Sequence, residues 1–185
     1  MSKGEGIKFV EGVSDTTKST VCQGEEINKL EGWTERKVGD VIFDSDIDDW
    51  NKNTSTFDQK IINKEHLIII IEIEEGNKLG GYVNERIEKI GSYINDPTSF
   101  IFLLNPNEMK KFSITHSPHT FYLASQSDDR LFSIGNGLSI YKGNNKSMSH
   151  YAKSSFREDS LPNAVCIKPR LTYFTPQRIV VVQMI

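Results

Sequence analysis

The chain has 185 residues, of which 37% are hydrophobic and 25% charged, and its formal net charge is −3. That length supports one domain with a full apolar core, and no apolar run approaches the ~20 residues a membrane-spanning helix needs. The first residues, MSKGEGIKFVEG, lack the apolar stretch of a signal peptide. Two cysteines, Cys22 and Cys166, are too few for a disulfide scaffold and fit a reducing compartment, cytoplasmic or nuclear.

Charge is unevenly placed. Residues 1–104 hold 12 Lys and Arg against 20 Asp and Glu, whereas residues 105–185 hold 10 against 5. Such a split marks either an interaction face or a solvated surface with no partner. The net acidity argues against a dedicated nucleic-acid binder, whose footprint is basic.

In chain order, residues 1–24 are polar and read as an arm, which Ile7, Phe9, Val10 and Val13 would pin to the body. Ile27, Leu30 and Trp33 then recur at helical spacing. Residues 1–35 are therefore taken as an arm with a short helix, and 36–185 as the domain proper. Residues 38–43 predict a strand with Gly39 at a bend. Asp44, Asp46 and Asp48 alternate like the first ligands of a calcium loop. However, Asp49 stands where that loop needs glycine, and Ser55 where it needs glutamate. The run is expected to be a solvated loop that binds no calcium. The helix after it would be capped by Asn53, Thr54 or Ser55 and would bury Phe57, Ile61 and Ile62.

Residues 67–82, LIIIIEIEEGNKLGGY, are the most informative stretch. A β-branched apolar run of this length predicts a strand buried on both faces, and residues 74–77 supply the turn to a partner strand. Gly80 and Gly81 fall inside that second strand, where glycine marks a bulge, a close approach, or a surface a partner presses against. Val83, Ile87, Ile90 and Ile94 fall at i, i+4, i+7 and i+11, which predicts a helix ended by Pro97. Residues 100–104, 112–114, 120–124, 131–134, 138–141 and 179–184 read as further strands, with a turn at His116-Ser117-Pro118-His119. Eight or nine strands with two or three helices make the chain mainly β with a few helices, an α+β fold.

No catalytic set, cofactor motif or metal site emerges. His116 and His119 lack a third ligand, and His66 stands apart from both. Cys166 with the distant His150 is a weak nucleophile–base pair, and Cys166 reads better as a small buried hydrophobe. Gly135 and Gly137 lack the third glycine and the helix of a phosphate loop, and read as a hairpin turn. Cys22, in polar surroundings, reads as an exposed thiol with no resolving cysteine nearby.

Four motifs in fixed order carry a family resemblance. They are the hairpin of residues 67–82, the strand FIFLL at 100–104, the turn Ile134-Gly135-Asn136-Gly137 before a strand, and the serines 149 and 155 with Phe156. Together they resemble the TLDc domain of oxidation-resistance proteins, of protozoan type, over residues 36–185. The chain departs from the family pattern at its close, Val182-Gln183-Met184-Ile185, and in residues 158–175, which read as an insertion. The resemblance implies a sandwich of two antiparallel sheets and makes Gly80, Gly81, Tyr82, Gly135 and Gly137 family-motif positions. It also implies a non-enzymatic interaction module linked to the oxidative-stress response, with the vacuolar-type proton ATPase as a partner and no catalytic residues. The rival reading is a nucleic-acid-binding regulator. It would use a basic surface of Lys142, Lys146, Lys153, Arg157, Lys168, Arg170 and Arg178, with Tyr141, Tyr151 and Tyr173 as stacking platforms. Lys142, Lys146 and Lys153 lie in polar, turn-rich sequence, so all three are expected in solvent. A thiol antioxidant acting through Cys22 is a third reading.

Overall fold

The computed structural model describes residues 21–114, 119–135, 137–152 and 172–185. Its centre is the predicted hairpin: β2 (Leu67–Glu72) pairs in unbroken antiparallel register with β3 (Lys78–Val83). Every residue of β2 from Leu67 to Ile71 is buried, because both faces of this strand are covered. Leu67, Ile69 and Ile71 point into the interior, and Ile68 and Ile70 point to the opposite side. Burying one such side chain contributes about 1.5–3 kcal/mol, so this strand anchors two apolar clusters at once.

Around the hairpin lies a six-stranded sheet, here called sheet A. It adds β1 (Val38–Asp44), β5 (Phe100–Asn105), β6 (Glu108–Ser113) and β12 (Arg178–Met184), in the order β1-β12-β2-β3-β5-β6. Sheet B, also six-stranded, runs β11-β10-β9-β8-β7-β4. Its strands are β4 (Tyr93–Ile94), β7 (Phe121–Leu123), β8 (Arg130–Ile134), β9 (Leu138–Tyr141), β10 (His150–Tyr151) and β11 (Thr172–Tyr173). All pairings are antiparallel. The inner faces enclose one core in which Phe43, Phe57, Phe121 and Phe132 are fully buried, with Phe57 stacked on Phe132 at a centroid distance of 5.3 Å. The fold is therefore the expected two-sheet β-sandwich, with more strands than predicted because three of them are only two residues long.

Helix α1 (Gly24–Thr34) covers the outer face of sheet A. Ile27 and Leu30 are buried there with Val21 and Cys22, and Trp33 packs against Phe100 and Phe102 at centroid distances of 6.2 Å. Residues 21–34 thus share a hydrophobic cluster with the body. The second helix, α2 (Phe57–Ile61), buries Phe57 and Ile61 as expected, but Ile62 lies just past its end and is half-buried, and its N-cap is Thr56 in place of Asn53, Thr54 or Ser55, although Ser55 Oγ accepts the Phe57 N–H at 3.1 Å.

The helix expected through Val83, Ile87, Ile90 and Ile94 does not form. Val83 ends β3 and Ile94 belongs to β4. Between them, the carboxylate of Asp96 accepts the N–H groups of Asn84 and Glu85 at 2.6 and 3.0 Å, and Ile87 is paired by its backbone with Asn63 and Lys64. Gly91 then takes φ +74°. These bonds outcompete helix formation, and only Ile87 of the two middle residues is buried, Ile90 being 42% exposed.

Candidate functional site

Two of the seven residues of the basic surface read from the sequence, Lys142 and Arg178, are buried. Lys142 is 2% exposed, and its ammonium donates to the backbone carbonyls of Ser125, Gln126 and Asp128 at 2.6, 2.8 and 2.6 Å. Its three protons close a turn in which the Ser125 oxygen also accepts the Asp128 N–H at 3.2 Å and the Gln126 oxygen the Asn53 N–H at 2.9 Å. Burial lowers the Lys142 pKa, against the opposing pull of Asp128, Asp58 and Asp129. The recess beside it, lined by Ser55, Asp58 and Gln126, has no room even for a water molecule, so it is a structural plug with no ligand space.

Arg178 is equally committed. It is 5% exposed and forms a bidentate pair with Asp44, Nε to Oδ1 at 3.0 Å and Nη2 to Oδ2 at 2.8 Å, with Asp46 Oδ2 3.1 Å from Nε. The hydrogen bond to Asp44 raises the Arg178 pKa despite burial. Asp44 itself is 1% exposed, which corrects the expectation of a wholly solvated acidic loop. Asp48 is also engaged, accepting the Asp44 N–H at 2.9 Å and pairing with Lys60 at 2.6 Å. Lys146 is half-buried. Lys153, Arg157, Lys168 and Arg170 lie outside the described residues, as do Cys166, His116 and Asn136. The other described bases of this half are held too: Lys110 by Glu108, Lys111 over the Phe100 ring, and Arg130 by Asp128.

The family-motif glycines are packing positions. A Cβ on Gly80 would lie 1.9 Å from the Ile69 carbonyl oxygen and 2.7 Å from Phe102 Cζ, on the α1 side. One on Gly81 would lie 2.4 Å from Ile134 Cδ1, on the sheet B side. Both are buried and in regular register, so neither a bulge nor a surface for a partner is present at this point. Tyr82 is buried, its hydroxyl donating to Asn84 Oδ1 at 2.8 Å. Gly135 takes φ +59° at the β8–β9 turn, and Gly137 is buried beside it.

Cys22 is fully buried, contrary to the exposed thiol expected. Burial, reinforced by Glu26, pushes its pKa up to about 12. A thiol that stays protonated at neutral pH is neither a nucleophile nor a redox sensor. His66 is bonded to Asn84 Oδ1 at 3.0 Å, and His119 packs edge-on against Tyr93. Among the described residues, no group of three or more His, Cys, Asp or Glu is placed to hold a metal ion. No helix among them is long and apolar enough to cross a membrane.

What sequence reasoning missed is the outer face of sheet B. The strand registers line up Tyr93, Tyr122, Ser133, Ser139, His150 and Tyr173 in one row across all six strands. Ser133 and Ser139 are joined through their hydroxyls at 3.0 Å. On one side of them, His119, Tyr93 and Tyr122 stack in sequence, and the Arg130 guanidinium lies 4.7 Å from the Tyr122 ring. On the other, Tyr141, His150 and Tyr173 make a second aromatic group. Tyr173 is 56% exposed and Tyr93 39% exposed. The available signal was the polar–apolar alternation of short strands such as Leu138-Ser139-Ile140-Tyr141, which marks one wet face but not its neighbours.

These features define a two-layer antiparallel β-sandwich with a helix packed on the outer face of sheet A. The TLDc domain model matches residues 17–178, and the chain belongs to that family. The match takes in α1, so it begins earlier than the motifs alone indicate. A comparison with curated proteins finds no match.

Proposed function

We infer that the chain is a non-enzymatic TLDc interaction module of the oxidative-stress response, working by surface recognition without turnover. The observation that carries this reading is the TLDc match across residues 17–178. Consistent with it, the two buried charged side chains among the described residues of the basic half, Lys142 and Arg178, are bound to carbonyls and carboxylates in structural roles. The resemblance points to the vacuolar-type proton ATPase as the partner.

Two measurements test this. Loss of the protein should sensitise its source cell to hydrogen peroxide, and re-expression should restore survival. Affinity capture with the full chain, with and without nuclease, should retain the ATPase in both cases. Unaltered peroxide survival together with nuclease-sensitive capture would sink the reading. The nucleic-acid alternative is weakened because Lys142 and Arg178 cannot reach a phosphate without unfolding their surroundings.

A further inference from the structure

We propose that α1 is a lid, which detaches from sheet A and unravels while the sandwich stays folded, uncovering the apolar face beneath it. The lid does not depend on which partner the module binds. Its first ground is the division of the core. Among the described residues, the cluster between the sheets contains no residue of α1, whereas Val21, Cys22, Ile27 and Leu30 belong to the separate cluster on the outer face of sheet A. No strand pairs with residues 21–34, so release of α1 breaks no ladder. The inner core stays sealed when the outer one opens, which is the condition for a sub-global opening.

The second ground is that α1 is a weak helix without its support. Two of its eleven residues are glycines, Gly24 and Gly32, and a Cβ at either would meet nothing within 4 Å. Neither glycine serves packing, so at Gly32, inside the helix, the missing Cβ only lowers helix stability. The last turn holds no base and carries Glu31, with Glu35 as the cap, so the negative end of the helix dipole faces carboxylates. A helix of this length does not persist alone in water, and its release returns the conformational entropy of the segment. The third ground is a defined hinge and a defined clasp. Lys37 is fixed to the body by exchanging both backbone bonds with Ile185, at 2.7 and 2.8 Å. Just before it, Glu35 sits at φ +55°, a left-handed conformation that a side chain occupies at a cost and that opening relieves. At the far end, Lys78 of β3 donates to both carboxylate oxygens of Glu26 at 2.8 Å and ties the first turn to the sheet. Cys22, fully buried beside this clasp, is a built-in reporter: short of global unfolding, it meets water only when the lid lifts.

The test uses the full chain with Cys166→Ser, in a urea series below the unfolding midpoint. Cys22 alkylation and amide exchange are followed by mass spectrometry. Cys22 and the amides of residues 24–34 should open together, with a weaker urea dependence than the amides of β2, which exchange on global unfolding. Gly32→Ala should slow Cys22 labelling about fivefold. Glu26→Gln can keep the bond to the Gln23 N–H but loses the charge that Lys78 holds, and should speed labelling about fivefold. A cooperative urea transition in each variant is the folding control. Labelling that tracks β2 exchange at every urea concentration overturns the lid, because the helix then leaves only when the whole chain unfolds. So does exchange of residues 24–34 without labelling of Cys22, which is fraying, and so does indifference of the labelling rate to both variants.

Discussion

Replacing Lys142 by Met tests the central reassignment, that this lysine is a structural plug and not part of a basic surface. The aliphatic stem is preserved in length, but the carbonyls of Ser125, Gln126 and Asp128 lose their shared donor; the first two keep the N–H groups of Asp128 and Asn53, so the Asp128 oxygen is the one left unpaired. An unpaired buried acceptor costs about 1–3 kcal/mol. The affected residues are only half-buried, so water can recover part of that. Removing the buried ammonium also relieves a desolvation cost that opposes the charged form. The balance is a net destabilisation of about 1–2 kcal/mol, or about 2–8 °C in Tm for a chain of this size. Urea unfolding followed by the fluorescence of Trp33 and Trp50 reads it directly. The midpoint should fall with no change in m, whereas Lys146→Met should stay within about 0.5 kcal/mol of the parent. A Lys142→Met protein as stable as the parent would mean that burial of the charge costs as much as its three hydrogen bonds return, and the plug would not be holding the turn.

Gly81→Ala should destabilise by about 1–3 kcal/mol through overpacking against Ile134, and Gly80→Ala by more, because its Cβ meets a backbone oxygen that cannot move aside. Calorimetry of the two variants decides it, and equal Tm values would refute the packing role. Asp96 predicts an acid limb. Burial works to raise its pKa, but the Thr98 hydroxyl and the N–H groups of Glu85 and Asn84 hold it below the ordinary carboxylate value. A folded-state pKa below the unfolded one means stability that is present above about pH 4 and lost as pH falls through the folded value. Asp96→Asn should therefore be less stable near neutrality and show a flatter acid limb in a pH series of urea midpoints; parallel curves would refute this. In a Cys166→Ser background, Cys22 should resist alkylation and peroxide at neutral pH until denaturant is added, and rapid native labelling followed by mass spectrometry would overturn its assignment as inert.

The central hairpin was legible because its cause is local: five consecutive aliphatics followed by turn residues admit few other structures. The expected helix at residues 83–94 shows the limit of periodicity. Four apolar residues at helical spacing came from a strand end, a loop, an exposed position and another strand, and the competing bonds came from Asp96 and the 63–64 turn. Buried charges were illegible for a related reason. Lys142 sits in a polar neighbourhood, and nothing near it shows that it reaches back 14 to 17 residues to a carbonyl cluster. Arg178 and Asp44 are separated by 134 residues. The aromatic row on sheet B is assembled from six strands that contribute one residue each, so no window of sequence contains it.

The paired glycines of β3 have a mechanical consequence. At Gly81 the inner face of sheet A is thinned to bare backbone, and the Ile134 side chain of the other layer sits in that gap like a dowel in a drilled board. Sliding one sheet along the other would first require Ile134 to be lifted clear, at the cost of reopening the packed interior on both sides. That contact opposes shear between the layers. A load applied along the strands is therefore borne by the whole sandwich, and force-probe unfolding should show a single cooperative rupture with no intermediate extension from slipped sheets.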